Sequence, residues 1–174
     1  MKKFILLFVA TVCFALYSSA AVAKKCDPYN KAEELRILAL NIYHESRGES
    51  PLAMQMIGEV TLNRVESVNY PNSICEVVYQ RGQFSWTRKK NQTPSEKEAW
   101  ILSLRIAERL LNGNVRYIDN GATHFLNPSN VSDMPSWTHR FKKVGKYGKH
   151  IFYDDRSRKI NIYMSHDRRG GQQI

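Results

Sequence analysis

An α+β domain is the fold class this sequence predicts, with a helical first two-thirds and a small β portion toward the C-terminal end. Three observations lead there. Up to Gly113, apolar residues recur at helical spacing between cap and turn signals. Beyond Gly113 that periodicity fades and short alternating segments replace it. No internal repeat and no long linker divides the 174 residues, so one domain is expected. Hydrophobic residues at 43% and aromatics at 11% exclude a disordered, collagen-like or coiled-coil chain.

Residues 1–23 are set aside first. Lys2 and Lys3 form a positive start, Phe4 to Tyr17 an uncharged and mostly apolar run of 14 residues, and Ala21-Val22-Ala23 a small-x-small cleavage pattern. This reads as a secretory signal peptide, with an uncleaved anchor as the alternative. The domain is then 24–174. Cleavage removes Cys13 and leaves Cys26 and Cys75. In an oxidising compartment an even pair is expected to join, at about 3–4 kcal/mol for a loop of this length. Two free thiols are the other reading.

The elements follow in order. Lys31 to about Arg47 predicts a helix, because Leu35, Leu38, Ala39 and Ile42 fall on one face, and Gly48 stops it. Ser50-Pro51 reads as an N-cap followed by proline at the first helical position, opening a helix to about Ser67. That helix is apolar nearly all round, which predicts a central, buried position. Asn69 to Asn72 is a turn, Ser73 to Gln80 a short helix, and Arg81 to Gln92 a loop. Thr93-Pro94-Ser95-Glu96 has the form of a capping box with proline inside it, predicting a helix to Leu111 with Trp100, Leu104, Ala107 and Leu111 along one face. Thr123 to Leu126 predicts a strand. Phe141 to Val144 and His150 to Tyr153 read as hairpin arms around Gly145 and Gly148, and Lys159 to Met164 as a further strand.

The chain carries 26 Lys+Arg against 16 Asp+Glu. Nucleic acid, an acidic membrane and an acidic wall polymer all suit such a balance. The excess is uneven: residues 139–174 hold ten basic and three acidic groups, whereas 24–138 hold 14 and 13. The basic end either docks on anionic polymers or is a solvated tail.

The segment richest in chemistry is Tyr43 to Glu49. Glu45 lies about 280° round the helical wheel from Leu35, with Leu38 near 300°, so it sits at the edge of the buried stripe. It also stands at the helix's C-terminal end. Burial and the negative end of the helix dipole both raise a carboxyl pKa, as a general acid at neutral pH requires. A carboxylate paired with Arg47 or Arg64 is the plainer reading. His44-Glu45 shares the start of H-E-x-x-H, but Gly48 occupies the second histidine's position, and the five histidines show no ligand-pair spacing, so no metal motif is read; a metal assembled by the fold, serving a nuclease or amidase, is the remaining alternative. There is no G-x-S-x-G, and Gly48, Gly58 and Gly82 suit caps and loops rather than a nucleotide loop. Arg81 to Trp86 offers aromatics and amides that suit sugar binding if Phe84 and Trp86 are exposed; the alternative is a loop buried by those two rings.

Taken together, Ile37 to Glu49, Val60 to Val65, Tyr70 to Ile74, Gly82 to Ser85, Gly121 to Phe125, Trp137 and His150 to Tyr153 resemble, in this order, the cell-wall hydrolase family named after the spore-cortex-lytic enzyme SleB. The resemblance covers about residues 33–153. It implies a lysozyme-like α+β fold, peptidoglycan as partner and no cofactor. A monomer without a nucleic-acid partner is expected, and the leader predicts export to the periplasm or to the extracellular cell wall. It further implies a lytic transglycosylase with one catalytic glutamate, Glu45. That residue would protonate the oxygen linking N-acetylmuramic acid to N-acetylglucosamine, then take the proton from the muramoyl C6 hydroxyl as the 1,6-anhydro ring closes. Carbohydrate contacts would fall to Gln83, Ser85, His124 and Tyr153, with Arg47, Glu49, Asn63 and Arg64 in support. Ala53-Met54 and Glu59 depart from the family pattern. Glu59 offers a second carboxylate, which opens the paired-carboxylate hydrolase alternative. A binder of anionic wall polymers without catalysis is the reading from another class.

Overall fold

The computed structural model describes residues 26–113 and 120–156. The leader, the strand expected at Lys159 to Met164 and the basic tail therefore lie outside the described residues. Four α-helices precede a three-stranded antiparallel sheet: α1 Lys31–Ser46, α2 Pro51–Val65, α3 Ile74–Tyr79, α4 Lys97–Leu111, then β1 His124–Leu126, β2 Lys142–Tyr147 and β3 His150–Asp154. The sheet order is β1-β3-β2.

Local chemistry sets most boundaries. Asn30 Oδ1 accepts the Glu33 amide at 3.0 Å to open α1, and Ser50 Oγ accepts the Ala53 amide at 3.3 Å to open α2. Glu34 of α1 accepts the amides of Ile74 and Cys75 at 2.7 and 3.0 Å, capping α3 from outside. The Cys26–Cys75 disulfide joins the same two regions.

Three expectations are corrected. First, α4 begins at Lys97 rather than Pro94. The Tyr43 hydroxyl accepts the amides of Ser95 and Glu96 at 3.1 and 3.2 Å, and the Glu96 carboxylate turns to Arg47, so the expected capping box does not close. The buried face of α4 runs through Ser103, Ile106, Ala107 and Leu110, while Leu111 is exposed. Ser103 can be buried because its hydroxyl donates to the Ala99 carbonyl at 2.8 Å, which a count of apolar residues does not register. Second, α1 is buried all round from Ile37 to Tyr43, because α2, α3 and α4 all pack on it. Its one polar residue there, Asn41, is satisfied by the Trp86 indole N–H and the Thr61 hydroxyl, both at 3.0 Å. Third, Gly58 serves neither cap nor loop. It sits inside α2, where a Cβ would lie 2.5 Å from Leu110 Cδ1 and 2.9 Å from Ile42 Cδ1, so it lets three helices converge.

The first hairpin arm also runs further than expected, to Tyr147. A bulge between Lys143 and Gly145 absorbs Gly145 into the strand. The turn is Gly148-Lys149, with Gly148 at φ 57°.

As its composition predicts, α2 is central. One side joins the helical core of Leu38, Ile42, Met54 and Leu110, and the other side carries Met56, Ile57 and Val60 against Ala122 and Phe152 of the β portion. The catalytic candidates lie where these two halves meet.

Candidate active site

Glu45 is partly buried in the last turn of α1. Its carboxyl makes no hydrogen bond or ion pair with any described residue. Burial pushes it up to about 6, against the opposing pull of Arg64 first and Lys89 second. The helix end is fixed on both sides of it. His44 stacks on Trp86 with ring centres 4.5 Å apart and meets the Gln92 carbonyl at 3.0 Å. Ser46 donates to the Ile42 carbonyl at 2.7 Å.

Arg64, 5% exposed, is the hub that joins Glu45 to the β portion. Its Nε donates to the Thr123 carbonyl at 2.7 Å. Its guanidinium lies over the rings of Tyr70 and Phe84, at 5.1 and 5.3 Å. Nη1 is buried without a hydrogen-bond partner. Beyond it stands His124, bonded to the Thr123 hydroxyl at 2.9 Å and to Tyr70 at 3.4 Å. The rings of Trp137 and Phe141 pack on it. Burial, and then the Arg64 charge, push this imidazole down to about 4 against the pull of Asp155, so it is neutral near pH 7. Tyr153 faces His124 across the β1–β3 ladder and meets Trp137 edge-on at 5.2 Å. Although 5% exposed, its hydroxyl has no partner among the described residues.

Gln83 and Ser85 are exposed on either side of buried Phe84, the ring beneath Arg64. Phe84 and Trp86 are 3% and 2% exposed, so the loop follows the buried alternative and those two rings form no sugar platform. Arg64 thus acts by its charge on both Glu45 and His124, Gln83 and Ser85 flank the Phe84 ring under it, and Tyr153 faces His124.

Three residues expected in support act elsewhere. Arg47 pairs with Glu96 at 2.8 Å, so the pairing with Glu45 does not occur. Asn63 donates to Asn120 and to the Ala122 carbonyl at 3.1 and 2.9 Å, tying the approach to β1 onto α2. Glu49 accepts the Lys149 amide at 3.3 Å, and a Cβ on Gly148 would collide with its Oε2, so it clasps the hairpin turn. Glu59 is 2% exposed and its carboxylate accepts from Gln55 at 2.8 Å and from Asn120. Sequence reasoning missed Tyr70, Lys89, Phe141 and Asp155 as site residues. Tyr70 carried one usable signal, an aromatic ring inside a turn that no apolar periodicity required.

A model of the family described as Cell Wall Hydrolase matches residues 48–153, starting just after Glu45. The spore cortex-lytic enzyme of Bacillus cereus is 26% identical over 121 residues, which are 68% of this chain and 43% of that protein. This chain therefore spans less than half the length of that relative. Cell wall hydrolase CwlJ of Oceanobacillus iheyensis is 29% identical over 130 residues, 72% of this chain and 88% of that one. Among solved structures, the catalytic domain of Bacillus cereus SleB superposes with a TM-score of 0.57 at 27% identity, covering 71% of this chain and 91% of that one. The catalytic domain of the germination-specific lytic transglycosylase SleB from Bacillus anthracis gives 0.56 at 25% identity, covering 74% and 100%.

Proposed function

Because this chain belongs to the cell wall hydrolase family, we propose that it cleaves the glycan strand of peptidoglycan as a lytic transglycosylase, with Glu45 as acid and then base. The observation that carries this reading is a partly buried carboxyl, raised to about 6, with no hydrogen bond or ion pair among the described residues and two cations nearby. Such a group is half protonated near pH 6, far more than an ordinary carboxyl, and can accept a proton back, and both tasks fall to the same carboxyl in this reaction.

In the first step Glu45 gives its proton to the oxygen between muramoyl C1 and the N-acetylglucosamine, and that C–O bond breaks. In the second, the muramoyl O6 bonds to C1 and its proton passes to the Glu45 carboxylate. Atoms and charge balance without water or cofactor. The Arg64 and Lys89 charges steady the transient carboxylate. Gln83, Ser85 and the Tyr153 hydroxyl are available to sugar hydroxyls, and neutral His124 can donate or accept a hydrogen bond. The solved SleB from Bacillus anthracis, described as a lytic transglycosylase, supports the choice over hydrolysis. Glu59, enclosed and already bonded to two amides, is poorly placed to serve as the second carboxylate of a hydrolase.

Export through the leader at 1–23 goes with this reading. So does attraction to anionic wall polymers through residues 139–174, whose Lys142, Lys143 and Lys146 stand exposed on the edge strand β2. Binding to isolated walls should fall as salt rises. The deciding experiment is mass spectrometry of digested peptidoglycan. Anhydromuramoyl ends that vanish with Glu45→Gln are expected, and reducing muramoyl ends would overturn the transglycosylase assignment.

A further inference from the structure

A cleft of about 1260 Å³ lies on another side of α1 from Glu45. Arg36 and Leu40 of α1 line it, and Glu45 is about 180° and about 140° round the helix from them. Its charged rim is Arg36, Arg81, Arg88 and Lys90 against the single carboxylate of Glu76. Gln80 also lines it, and the side-chain oxygen of Gln80 is buried without a hydrogen-bond donor. One wall is pinned in place. Gln92 holds Tyr79 and the Thr87 carbonyl with its side chain, at 3.3 and 2.9 Å, and His44 with its own carbonyl.

We propose that this cleft is a second binding site, for an acidic peptide, and that in the peptidoglycan reading its occupant is a stem peptide of the strand being cut. The identification of the peptide as a stem peptide rests on that reading. Two features select the chemistry. Arginine forks pair with carboxylates in a bidentate way, and three of the four rim cations are arginines. The cleft, at about 1260 Å³, is also far too large to be filled by a single small anion. Inorganic phosphate satisfies the first demand and not the second, whereas a peptide with free carboxylates meets both.

The site is wired to the catalytic candidate by the same loop. Arg88 and Lys90 face the cleft while Lys89, between them, acts on Glu45. The Gln92 contact reaches His44, the neighbour of Glu45. A peptide held by Arg88 and Lys90 would therefore lie against the same loop that sets Lys89 toward the acid, and strands still carrying their peptides would be preferred.

The test is calorimetric titration of the purified protein with N-acetylated L-alanyl-γ-D-glutamyl-meso-diaminopimelate at low salt. The same peptide with its carboxyls amidated, and inorganic phosphate, serve as comparison ligands. Saturable binding is expected, roughly tenfold or more weaker for the amidated peptide and for the Arg36→Gln/Arg88→Gln double variant. Both changes are at exposed side chains, so folding is not at stake. Equal affinity for acid and amide, full affinity in the double variant, or displacement by equimolar phosphate would overturn the site. Binding is read without turnover. Cleavage without peptide binding would therefore sink this proposal alone, and peptide binding without cleavage would sink the proposed function alone.

Discussion

Glu45 and Glu59 stand on adjacent helices, both withdrawn from water, and their surroundings differ in kind. Around Glu59 the fold supplies partners: Gln55 one turn earlier on α2, and Asn120 from the segment entering β1. Around Glu45 it supplies charge at a distance, from Arg64 and Lys89, and no hydrogen bond among the described residues. Burial is common to both, so burial alone does not mark a reactive acid. The distinguishing feature is burial left uncompensated by hydrogen bonds. Glu59 is the carboxylate of a joint between α2 and the β portion, and Glu45 is a carboxyl held ready.

The comparison breaks most visibly in activity. Glu45→Gln keeps the shape and removes the proton, and a loss of about 10²–10⁴ in wall-clearing rate is expected with the fold intact. Clearing at the wild-type rate would end the distinction. Glu59→Ala should act on the other axis. It removes the acceptor that Gln55 and Asn120 share and should cost about 1–2 kcal/mol in denaturant unfolding. The rate per folded molecule should stay near wild type. A rate collapse without loss of stability would move Glu59 into the chemistry and restore the paired-carboxylate hydrolase.

The two glutamates also show how far the sequence carries. The four helices, the hairpin and the fold class were legible because they rest on local signals: apolar spacing from Leu35 to Ile42, Ser50 as a cap, Pro51 at a helix start, and short β-like segments at Thr123 to Leu126 and His150 to Tyr153. Glu45 was legible as well, since helical phase alone sets it at the edge of a buried stripe. Its isolation was not, because Arg47 is two residues away in sequence yet spends its charge on Glu96, 49 positions on. The role of Glu59 was hidden for the same reason, since Asn120 comes from another part of the chain. Gly58 was misjudged because close helix approach, rather than composition, decides there, and Ser103 was passed over because its burial rests on a hydrogen bond to its own helix.

A third prediction concerns pH and stability. The folded pKa of Glu45 lies above its ordinary value, so the native state binds the proton more tightly than the unfolded chain. The stability this contributes is fully present below about pH 4.5 and is lost as pH rises through about 6. His124, lowered to about 4, runs the other way and loses stability as pH falls from 6.5 toward 4. Both act in the same window, so the wild-type curve alone does not separate them. The difference between wild type and Glu45→Gln does, because the histidine cancels. That difference should change by about 1–2 kcal/mol between pH 4.5 and 7, wild type losing ground as pH rises. A flat difference would mean that Glu45 is solvated like any surface carboxyl.

The smallest effect is the most specific to the arrangement around Glu45. Lys89 is exposed, and its charge favours the ionised form of Glu45. In Lys89→Ala that help is gone, so the acid holds its proton to higher pH. The descending limb of the pH profile for kcat/KM should then move upward. The shift should be smaller than one caused by neutralising Arg64, whose charge acts from a buried position and is the stronger of the two. It should also shrink as salt is added, since an exposed charge is screened over about 8–10 Å at ordinary ionic strength. An unmoved limb at low salt would leave Arg64 as the single cation tuning the acid, and the 87–93 loop would lose its electrostatic hold on Glu45. A downward shift would mean that the titrating group in the profile is something other than Glu45.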